Sequence, residues 1–527
     1  MRSAAGPLGS SAEGEVWLHP ASSTASKARS TPRPRNAPSD TSVPLDRGTP
    51  SRKRARGERY SCHVDSVRSG GSKLDLEVIV TPGLGDNSYL LASGDEAAVV
   101  DPQRDIGRFL SAARARDVSI RYVLETHVHN DYVSGALDLK EATGAEIVAA
   151  ARGGYGFPHR KVAEGDELKL GELRLFTLET PGHTPEHVAY LVHDLQSEDP
   201  VALFSGGSLM VGGAGRTDLV GEELTDELTR AQYRSMQRLA KLPDSVRVLP
   251  THGAGSFCGV GGPRTKDRVS TIGEERTRNA ALTASSEEQF VRDQLSGLLA
   301  YPLYYRNMAP INRTGPTPIR DLRKPQGLSA EQVARRLERG VWAVDARSGS
   351  EFARAHIPGA VNVELADSFG SYVGWVVPFN EPLLLVLPEP EDASLEEATT
   401  QLWRVGYERI QGYLAGGMDA WTASLPVSSY GVAGLDDLCR AYRSGDAKHI
   451  LDVRQKPEWD RGHIPKSRHI FVGDLGARID EVPRDGEVWA ICASGQRSAI
   501  AASLLDRDGI PVRLVGAGVP DFLKTCL

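Results

Sequence analysis

From Leu74 onward the chain alternates short apolar runs with turns that contain Gly, Asp and Asn. The runs LEVIV, SYLL, AAVVD and IRYVLET have the length and β-branched content of strands, and a helical stretch, Ile106 to Arg116, lies among them. We therefore predict a layered α/β domain over residues 75–275. Residues 276–315 carry a helical pattern and are predicted to form a connector.

A repeat of domain length organises the rest of the chain. Val344 to Pro358 aligns with Leu451 to Pro465 at a constant offset of 107, and seven of the aligned positions are identical. Such a period is too long for a solenoid unit and fits a complete domain. We predict two tandem copies of one α/β domain, over residues 316–427 and 428–527.

Length and composition limit the class of protein. A chain of 527 residues exceeds one hydrophobic core and predicts three to four domains. Its longest apolar runs are strand-sized, well short of the ~18 residues of a membrane-spanning helix, so we expect no membrane partner. The five Cys residues include no C-x-x-C pair, which excludes a disulfide framework and favours a reducing, cytoplasmic compartment.

Charge is distributed unevenly along the chain. Residues 1–74 hold 13 Lys and Arg against 6 Asp and Glu, are rich in Ser, Pro and Ala, and show no apolar periodicity. We predict a disordered basic tail there, because such a segment cannot bury enough surface to order itself. The remaining chain is acidic, which argues against nucleic acid as a partner.

Cys492 is the strongest candidate for a nucleophile. It lies between a predicted strand, Glu487 to Ile491, and a predicted helix, Ser498 to Leu505. Unpaired N–H groups at a helix N-terminus favour an anion such as a thiolate, and Arg497 adds a positive charge. The C-x4-R spacing is one residue shorter than that of Cys-dependent phosphatases and suits a smaller atom, such as the outer sulfur of a persulfide.

The second copy resembles the rhodanese (sulfurtransferase) family over residues 428–527. Asp452, Arg454 and the G-H-I-P run 462–465 precede a loop that matches C-x-x-G-x-R-S. The resemblance implies that Cys492 takes up sulfane sulfur as a persulfide and that Arg497 stabilises it. It further implies that the loop residues bind substrate, namely Ser494, Gly495 and Ser498.

The first copy has the frame of that family without its thiol. Its loop reads Leu385 to Asp392, and no Cys occurs between Cys258 and Cys439. Because no persulfide can form without a thiol, we interpret this copy as a pseudorhodanese that packs between domains.

The first domain contains a candidate metal site. His127, His129 and Asp131 alternate in a loop after an apolar strand, so their side chains can converge on one point. His183 in P-G-H-T and His252 in T-H-G each follow another apolar strand. These five residues are our predicted metal ligands.

This order of motifs resembles the metallo-β-lactamase fold over residues 75–275, which implies an αββα sandwich. With the G-R-T-D run 215–218 and the fused rhodanese copies, it is similar to the persulfide dioxygenase branch. That branch implies one Fe(II) ion per chain and oxidation of a low-molecular-weight thiol persulfide by O2 to sulfite. Cys492 would then exchange sulfur with sulfite or thiosulfate.

Two positions depart from the pattern of that fold. Tyr132 replaces a ligand of a second metal, which is compatible with a mononuclear centre. Gly207 stands where the branch has an Asp that ligates iron. Either Asp131 or a water completes the site, or His127, His129 and His183 hold zinc instead, and we expect Gly207→Asp to tighten iron binding.

Two alternatives remain from the residues alone. One is a thioester-type metallo-hydrolase fused to a sulfurtransferase. The other is a persulfide carrier or sensor in which the lactamase-like domain is a metal-poor scaffold. The sequence leaves a homo-oligomer open under each of them.

Overall fold

A computed structural model describes residues 74–253, 255–260 and 267–527. The predicted disordered tail therefore lies outside the described residues, except for Leu74. Within the described ranges, every helix is too short or too polar to cross a bilayer.

The first half of the chain forms two facing six-stranded sheets and one small sheet. The strands are β1 (Asp75–Thr81), β2 (Asp86–Ser93), β3 (Glu96–Val100), β4 (Ser119–Leu124), β5 (Glu146–Ala150), β6 (Arg160–Val162), β7 (Glu167–Leu170), β8 (Leu173–Glu179), β9 (Val188–Asp194), β10 (Pro200–Gly206), β11 (Leu209–Met210), β12 (Gly213–Gly215), β13 (Arg247–Pro250), β14 (Gly259–Val260) and β15 (Ser270–Thr271). Strands β1 to β6 form the first sheet in chain order. The second sheet runs β15-β13-β10-β9-β8-β7, and the small sheet runs β11-β12-β14.

Helices cover the outer faces of both large sheets. They are α1 (Gly107–Ala115) and α2 (Ala136–Thr143) on the first sheet and α3 (Thr225–Leu239) on the second. Between the sheets, Tyr89 and Leu124 of the first pack with Phe204 of the second in one buried cluster. The predicted αββα sandwich is confirmed, and its core forms because alternate apolar residues of each strand face the opposite sheet.

Three further helices follow the sandwich: α4 (Ile272–Arg278), α5 (Glu287–Ser296) and α6 (Tyr305–Thr314). Helix α6 is tied to the loop after β4 by a single side chain. Asn312 donates from Nδ2 to the carbonyl oxygens of His129 and Tyr132, at 2.9 and 2.8 Å, and its Oδ1 accepts from the Ser134 N–H at 2.9 Å. The connector thus holds the backbone of the candidate metal loop.

The last two domains are copies of one parallel five-stranded fold. The first contains β16 (Gly327–Leu328), α7 (Ala330–Leu337), β17 (Trp342–Asp345), α8 (Gly349–Arg354), β18 (Val361–Asn362), α9 (Phe369–Val376), β19 (Leu383–Val386), α10 (Glu391–Arg404), β20 (Ile410–Leu414) and α11 (Gly417–Thr422); the second contains β21 (Gly431–Ala433), α12 (Leu435–Ser444), β22 (His449–Asp452), α13 (Lys456–Asp460), β23 (Arg468–His469), α14 (Val472–Leu475), β24 (Val488–Cys492), α15 (Gln496–Arg507), β25 (Val512–Gly518) and α16 (Val519–Thr525). Their sheets run β16-β20-β19-β17-β18 and β21-β25-β24-β22-β23, which is the same order of first, fifth, fourth, second and third strand.

The first copy also packs against the sandwich. Arg404, at the end of α10, makes two hydrogen bonds to the Asp105 carboxylate at 2.8 and 2.6 Å. Its carbonyl oxygen accepts from the N–H of Val133, next to the candidate metal loop, at 2.7 Å. The copy without a Cys therefore contacts the first domain beside the predicted site.

Candidate metal centre and candidate persulfide loop

Strand β4 ends directly before the predicted metal loop, and this position brings two of its imidazoles together. His127 and His129 are buried, with ring centroids 4.2 Å apart. Asp131 is also buried but lies towards His252, with 3.2 Å between its Oδ2 and His252 Nδ1. The alternation thus places the two His side chains side by side and sends the carboxylate to a neighbouring part of the same cluster.

His183 and His252 reach the same cluster from the ends of two other strands. The ring of His183 lies 4.9 Å from that of His127 and 5.2 Å from that of His252, measured between centroids. His252 Nε2 lies 3.3 Å from His127 Nε2. All five predicted metal residues therefore meet in one buried group, His127, His129, Asp131, His183 and His252.

Two of the imidazoles are oriented so that one nitrogen faces the cluster without a partner. His183 Nδ1 donates to the carbonyl oxygen of Arg216 at 2.7 Å, which leaves Nε2 as an acceptor with no hydrogen bond. His129 Nε2 lies 2.9 Å from Glu125 Oε2, and its Nδ1 is unpartnered. Buried polar atoms without partners are rare and costly. A metal ion at these nitrogens would satisfy them, so the residues fit the group that the motif order implies.

Charge within the cluster is divided between its two sides. Burial, together with the nearby His252, lowers the pKa of His183 to about 3. Burial opposes protonation of His252 too, but Asp131 and Asp86 outweigh it and raise its pKa to about 10. Burial, together with Asp131, raises the pKa of Asp86 to about 8. His183 thus offers neutral imidazole, the form that binds metals, whereas His252 forms a carboxylate–imidazole group with Asp131 and Asp86.

Tyr132 packs against the imidazole ring of His129. Its ring stacks on the imidazole with centroids 4.4 Å apart, and its hydroxyl lies 3.0 Å from His129 Nε2 and donates to the carbonyl oxygen of Asp101 at 3.1 Å. The hydroxyl is thus engaged on the side of His129 that carries Nε2, away from the unpartnered Nδ1.

Gly207 lies against His183, and this revises one expectation. A Cβ atom at residue 207 would be 2.2 Å from His183 Cδ2. The His183 ring is held by Arg216, so it cannot move freely. Gly207→Asp is therefore expected to displace His183 and to weaken metal binding, in contrast to our prediction from the sequence.

His187 belongs to the cluster and was missed by the sequence argument. Its Nδ1 bonds with Thr180 Oγ1 at 2.8 Å, and its Nε2 accepts from the Gly207 N–H at 2.9 Å. Both ring nitrogens are thus satisfied by protein groups, which makes His187 a support for the Gly207 turn. Its position four residues after His183 was the available signal.

Cys258 completes the inner surface of the cluster. Its Sγ lies within 4.8 Å of a ligating nitrogen of both His183 and His252, and burial raises the pKa of its thiol.

The second candidate site is formed at the junction of β24 and α15, as predicted. Cys492 is fully buried, and its Sγ accepts from the Gly495 N–H at 3.1 Å and lies 3.6 Å from Ser498 Oγ. Ser494 is exposed at the tip of the loop. The loop therefore presents an N–H group and a hydroxyl to the sulfur atom.

Arg497 has a partner that the sequence argument did not name. Its guanidinium forms two hydrogen bonds with the Glu458 carboxylate, at 2.5 and 2.9 Å. Burial opposes the charge of Arg497, but this pairing outweighs it and raises its pKa. The expected positive charge beside Cys492 is thus largely neutralised by Glu458.

Cys439 and Cys526 are paired in a disulfide that joins α12 to the end of the chain, with Cα atoms 5.3 Å apart. The number and spacing of Cys residues did not predict this pair. Cys258 and Cys492 are free.

Comparison with known proteins identifies related families. The profile of the metallo-beta-lactamase superfamily matches residues 81–252, and that of the rhodanese-like domain matches residues 329–424 and 435–525. A hydroxyacylglutathione hydrolase of Methylococcus capsulatus is 39% identical over 183 residues, which are 34% of this chain and 66% of the relative. Another, from Cereibacter sphaeroides, is 33% identical over 184 residues, 34% of this chain and 67% of the relative. The chain thus spans about two thirds of the length of these curated relatives.

A solved structure extends the similarity beyond the first domain. The crystal structure of a metallo-beta-lactamase from Staphylococcus aureus is 27% identical, covers 65% of this chain and 99% of its own, and gives a TM-score of 0.59.

Proposed function

Because the chain belongs to the metallo-β-lactamase superfamily and continues into two rhodanese-like domains, we propose that it is a sulfur-metabolism enzyme with two centres. The first oxidises a low-molecular-weight thiol persulfide: persulfide, O2 and one water give the free thiol and sulfite. The second transfers sulfane sulfur through a persulfide on Cys492.

The observation that carries the first activity is a pair of buried imidazole nitrogens that have no partner. They are His129 Nδ1 and His183 Nε2, and the ring of His127 lies 4.2 and 4.9 Å from the rings of His129 and His183. Residue 132, where the fold would supply a ligand for a second metal, is Tyr, and residue 207, where the dioxygenase branch has the Asp that ligates iron, is Gly. We therefore assign one metal ion per chain to His127, His129 and His183, with Asp131 and His252 adjacent.

We propose Fe(II) as that ion, with zinc as the alternative outcome. Fe(II) would supply the redox chemistry that O2 requires, which zinc lacks. The protein's own contribution is to fix the donors: Arg216 sets the tautomer of His183 through its carbonyl, and Glu125 holds His129. Burial of the cluster excludes bulk water from the reacting groups.

The names of the relatives support a choice of carrier thiol. Two curated relatives of the first domain are named hydroxyacylglutathione hydrolases, a name that points to a substrate built on glutathione. We propose glutathione persulfide, or a thiol of that size, as the substrate. Sulfite released at the first centre is an acceptor for the sulfur on Cys492, giving thiosulfate, and the shared chain raises its local concentration.

Two other functions are each supported by a particular observation. The relatives' names favour a thioester-type metallo-hydrolase, but Tyr132 and Gly207 remove ligands on which a dinuclear hydrolase of this fold relies. A persulfide carrier or sensor with a metal-poor first domain is favoured only by Gly207, because Gly offers no side chain to hold a metal.

Metal analysis joined to oxygen uptake with glutathione persulfide tests the proposal. We expect one iron per full-length chain and persulfide-dependent oxygen uptake. His183→Gln should lose both. His193→Gln, a control in strand β9 outside the cluster, should retain both. Two zinc ions with thioester hydrolysis would instead establish the hydrolase. Metal-free protein that stays inactive after anaerobic iron loading would leave the carrier.

Cys492→Ser separates the two centres. Loss of a covalent nucleophile should reduce thiosulfate:cyanide sulfur transfer by at least about a thousandfold. Oxygen uptake should persist, because the thiol lies in a different domain from the cluster. Retention of more than about a tenth of the transfer would contradict the assignment of Cys492.

A further inference from the structure

A helix of the Cys-less copy forms one wall of the Cys492 site. Gln496, the first residue of α15, donates from Nε2 to the Oγ of Ser368, at the start of α9, at 3.3 Å. Near the other end of α9, Trp375 packs edge-to-face on Phe471 at 4.9 Å and so closely over Gly473 that a Cβ there would be 2.2 Å from its ring. Helix α9 is thus fixed to the catalytic copy at both ends.

Tyr372 lies between those two fixed points. It follows Ser368 by one helical turn, and its N–H donates to the Ser368 carbonyl at 2.9 Å, so both side chains share a face of α9. Its half-buried ring packs against a large apolar cluster that extends from the first domain into the second copy and includes Cys492. Among the described residues, none hydrogen-bonds to its hydroxyl.

The charged groups around Tyr372 keep it a hydrogen-bond donor. Burial raises its pKa; of the charges nearby, Arg497 lowers it and Cys492 raises it. The phenol therefore stays protonated at neutral pH. Since Glu458 accepts from two of the five N–H donors of Arg497 and offsets its charge, an anion that approaches Cys492 gains from a further donor.

We propose that the Tyr372 hydroxyl binds an oxygen of the small sulfur oxyanion, thiosulfate or sulfite, that reacts at Cys492. The inference rests on the proposed sulfur transfer and adds to it a binding residue from the copy that has no thiol. The pseudorhodanese then determines which donor the second centre accepts.

The hydroxyl would act in the first half-reaction. The Cys492 thiolate attacks the outer sulfur of thiosulfate; a bond forms between Sγ and that sulfur, the sulfur–sulfur bond of thiosulfate breaks, and its electron pair leaves with sulfite. Cyanide then attacks the sulfane sulfur, forms thiocyanate and releases the thiolate. Only the first step involves a sulfonate oxygen, so only that step uses Tyr372.

Steady-state kinetics of the full chain test this role with a matched pair of variants. Tyr372→Phe removes the hydroxyl at the proposed site, and Tyr413→Phe removes one in β20 of the same copy, where the ring packs on Gly327. We expect Tyr372→Phe to raise KM for thiosulfate about tenfold, the loss of one hydrogen bond to a charged group. The kcat and the KM for cyanide should change less than about twofold, because uniform binding of one substrate is lost.

A binding measurement complements the kinetics. Sulfite should protect Cys492 from iodoacetamide, measured by mass spectrometry, and the half-protecting concentration should rise about tenfold in Tyr372→Phe only. Equal KM and equal protection in both variants and the wild type, at unchanged melting temperatures, would overturn the role of Tyr372 and leave sulfur transfer standing. Absence of transfer in the wild type would overturn both.

Discussion

The two rhodanese-like domains have the same frame and different loops. In each, the Asp at the end of the second strand pairs with an Arg two residues on, Asp345 with Arg347 and Asp452 with Arg454, at 2.6 Å. Each Arg also donates to a carbonyl oxygen eight residues on, at 3.0 and 2.8 Å. In each, a His stacks on an aromatic ring four residues before it, with centroids 3.8 Å apart. These shared contacts are buried or local, and they hold the fold.

The loop after the fourth strand differs between the two copies at every position that we assign to sulfur transfer. The strand ladders pair Asp345 with Val386 and Asp452 with Ile491, so Leu387 occupies the place of Cys492. Counting on, Pro390 stands for Gly495, and Asp392 stands for Arg497. Proline has no N–H to donate to a sulfur, and Asp reverses the charge. The shared frame and the sulfur chemistry thus depend on separate residues. One copy can therefore keep the frame without the chemistry.

The largest expected effect concerns the shared frame. Asp345→Asn and Asp452→Asn each remove a fully buried carboxylate that pairs with an Arg, which should cost about 3 kcal/mol of unfolding free energy in either copy. Urea denaturation followed by tryptophan fluorescence measures it. The exposed Asp419→Asn serves as the control, and a cost in only one copy would break the equivalence of the two frames.

A smaller, pH-dependent effect should depend on the Glu458–Arg497 pair of the second copy. Burial opposes ionisation of Glu458, but Arg497 outweighs it and lowers the pKa of that carboxyl. A lowered folded-state pKa contributes stability above the unfolded value of about 4.3, and this is lost as pH falls through the folded value. Glu458→Gln should therefore lower stability by about 1–2 kcal/mol at pH 7.

The difference between wild type and Glu458→Gln should shrink steadily below about pH 4.3. Glu351, the equivalent residue of the first copy, has its pKa lowered chiefly by a hydrogen bond from Ser348, and no Arg side chain hydrogen-bonds to it among the described residues. A pH dependence of the Glu458→Gln difference that persists in an Arg497→Lys background would show that the Arg497 pair is not the cause.

The smallest effect is expected from restoring the thiol to the first copy. Leu387→Cys in a Cys492→Ser background should give no transfer above the background rate, because Pro390 and Asp392 supply neither N–H nor positive charge. The thiosulfate:cyanide assay measures it. A transfer rate above about a hundredth of the wild-type rate would mean that a thiol at this position is sufficient for sulfur transfer.

Local patterns predicted most of this architecture. The αββα sandwich and the two rhodanese-like copies follow from strand-length apolar runs and from the repeat, and both are confirmed. The constant offset of 107 nevertheless places Leu385 opposite Cys492, whereas the ladder places Leu387 there, because the copies differ by two residues before the fourth strand.

Contacts between distant residues were beyond such patterns. Glu458 lies 39 positions from Arg497, and Cys439 lies 87 positions from Cys526, with no motif that links the members of either pair. The unpartnered nitrogens of His129 and His183 depend on Glu125 and on a backbone carbonyl, so ring orientation could not be read from spacing. The motifs locate the candidate ligands in the sequence, but the surrounding residues decide which of their nitrogen atoms have no partner.

The three hydrogen bonds of Asn312 limit where this chain can be cut. A fragment that ends at residue 275, the boundary drawn from the strand pattern, would release a donor and two acceptors in the loop that carries His129. The lactamase-like domain with that boundary is therefore not a self-contained unit. A transplant of the first centre into another protein therefore has to include the chain at least through Thr314, the last residue of the helix that carries Asn312.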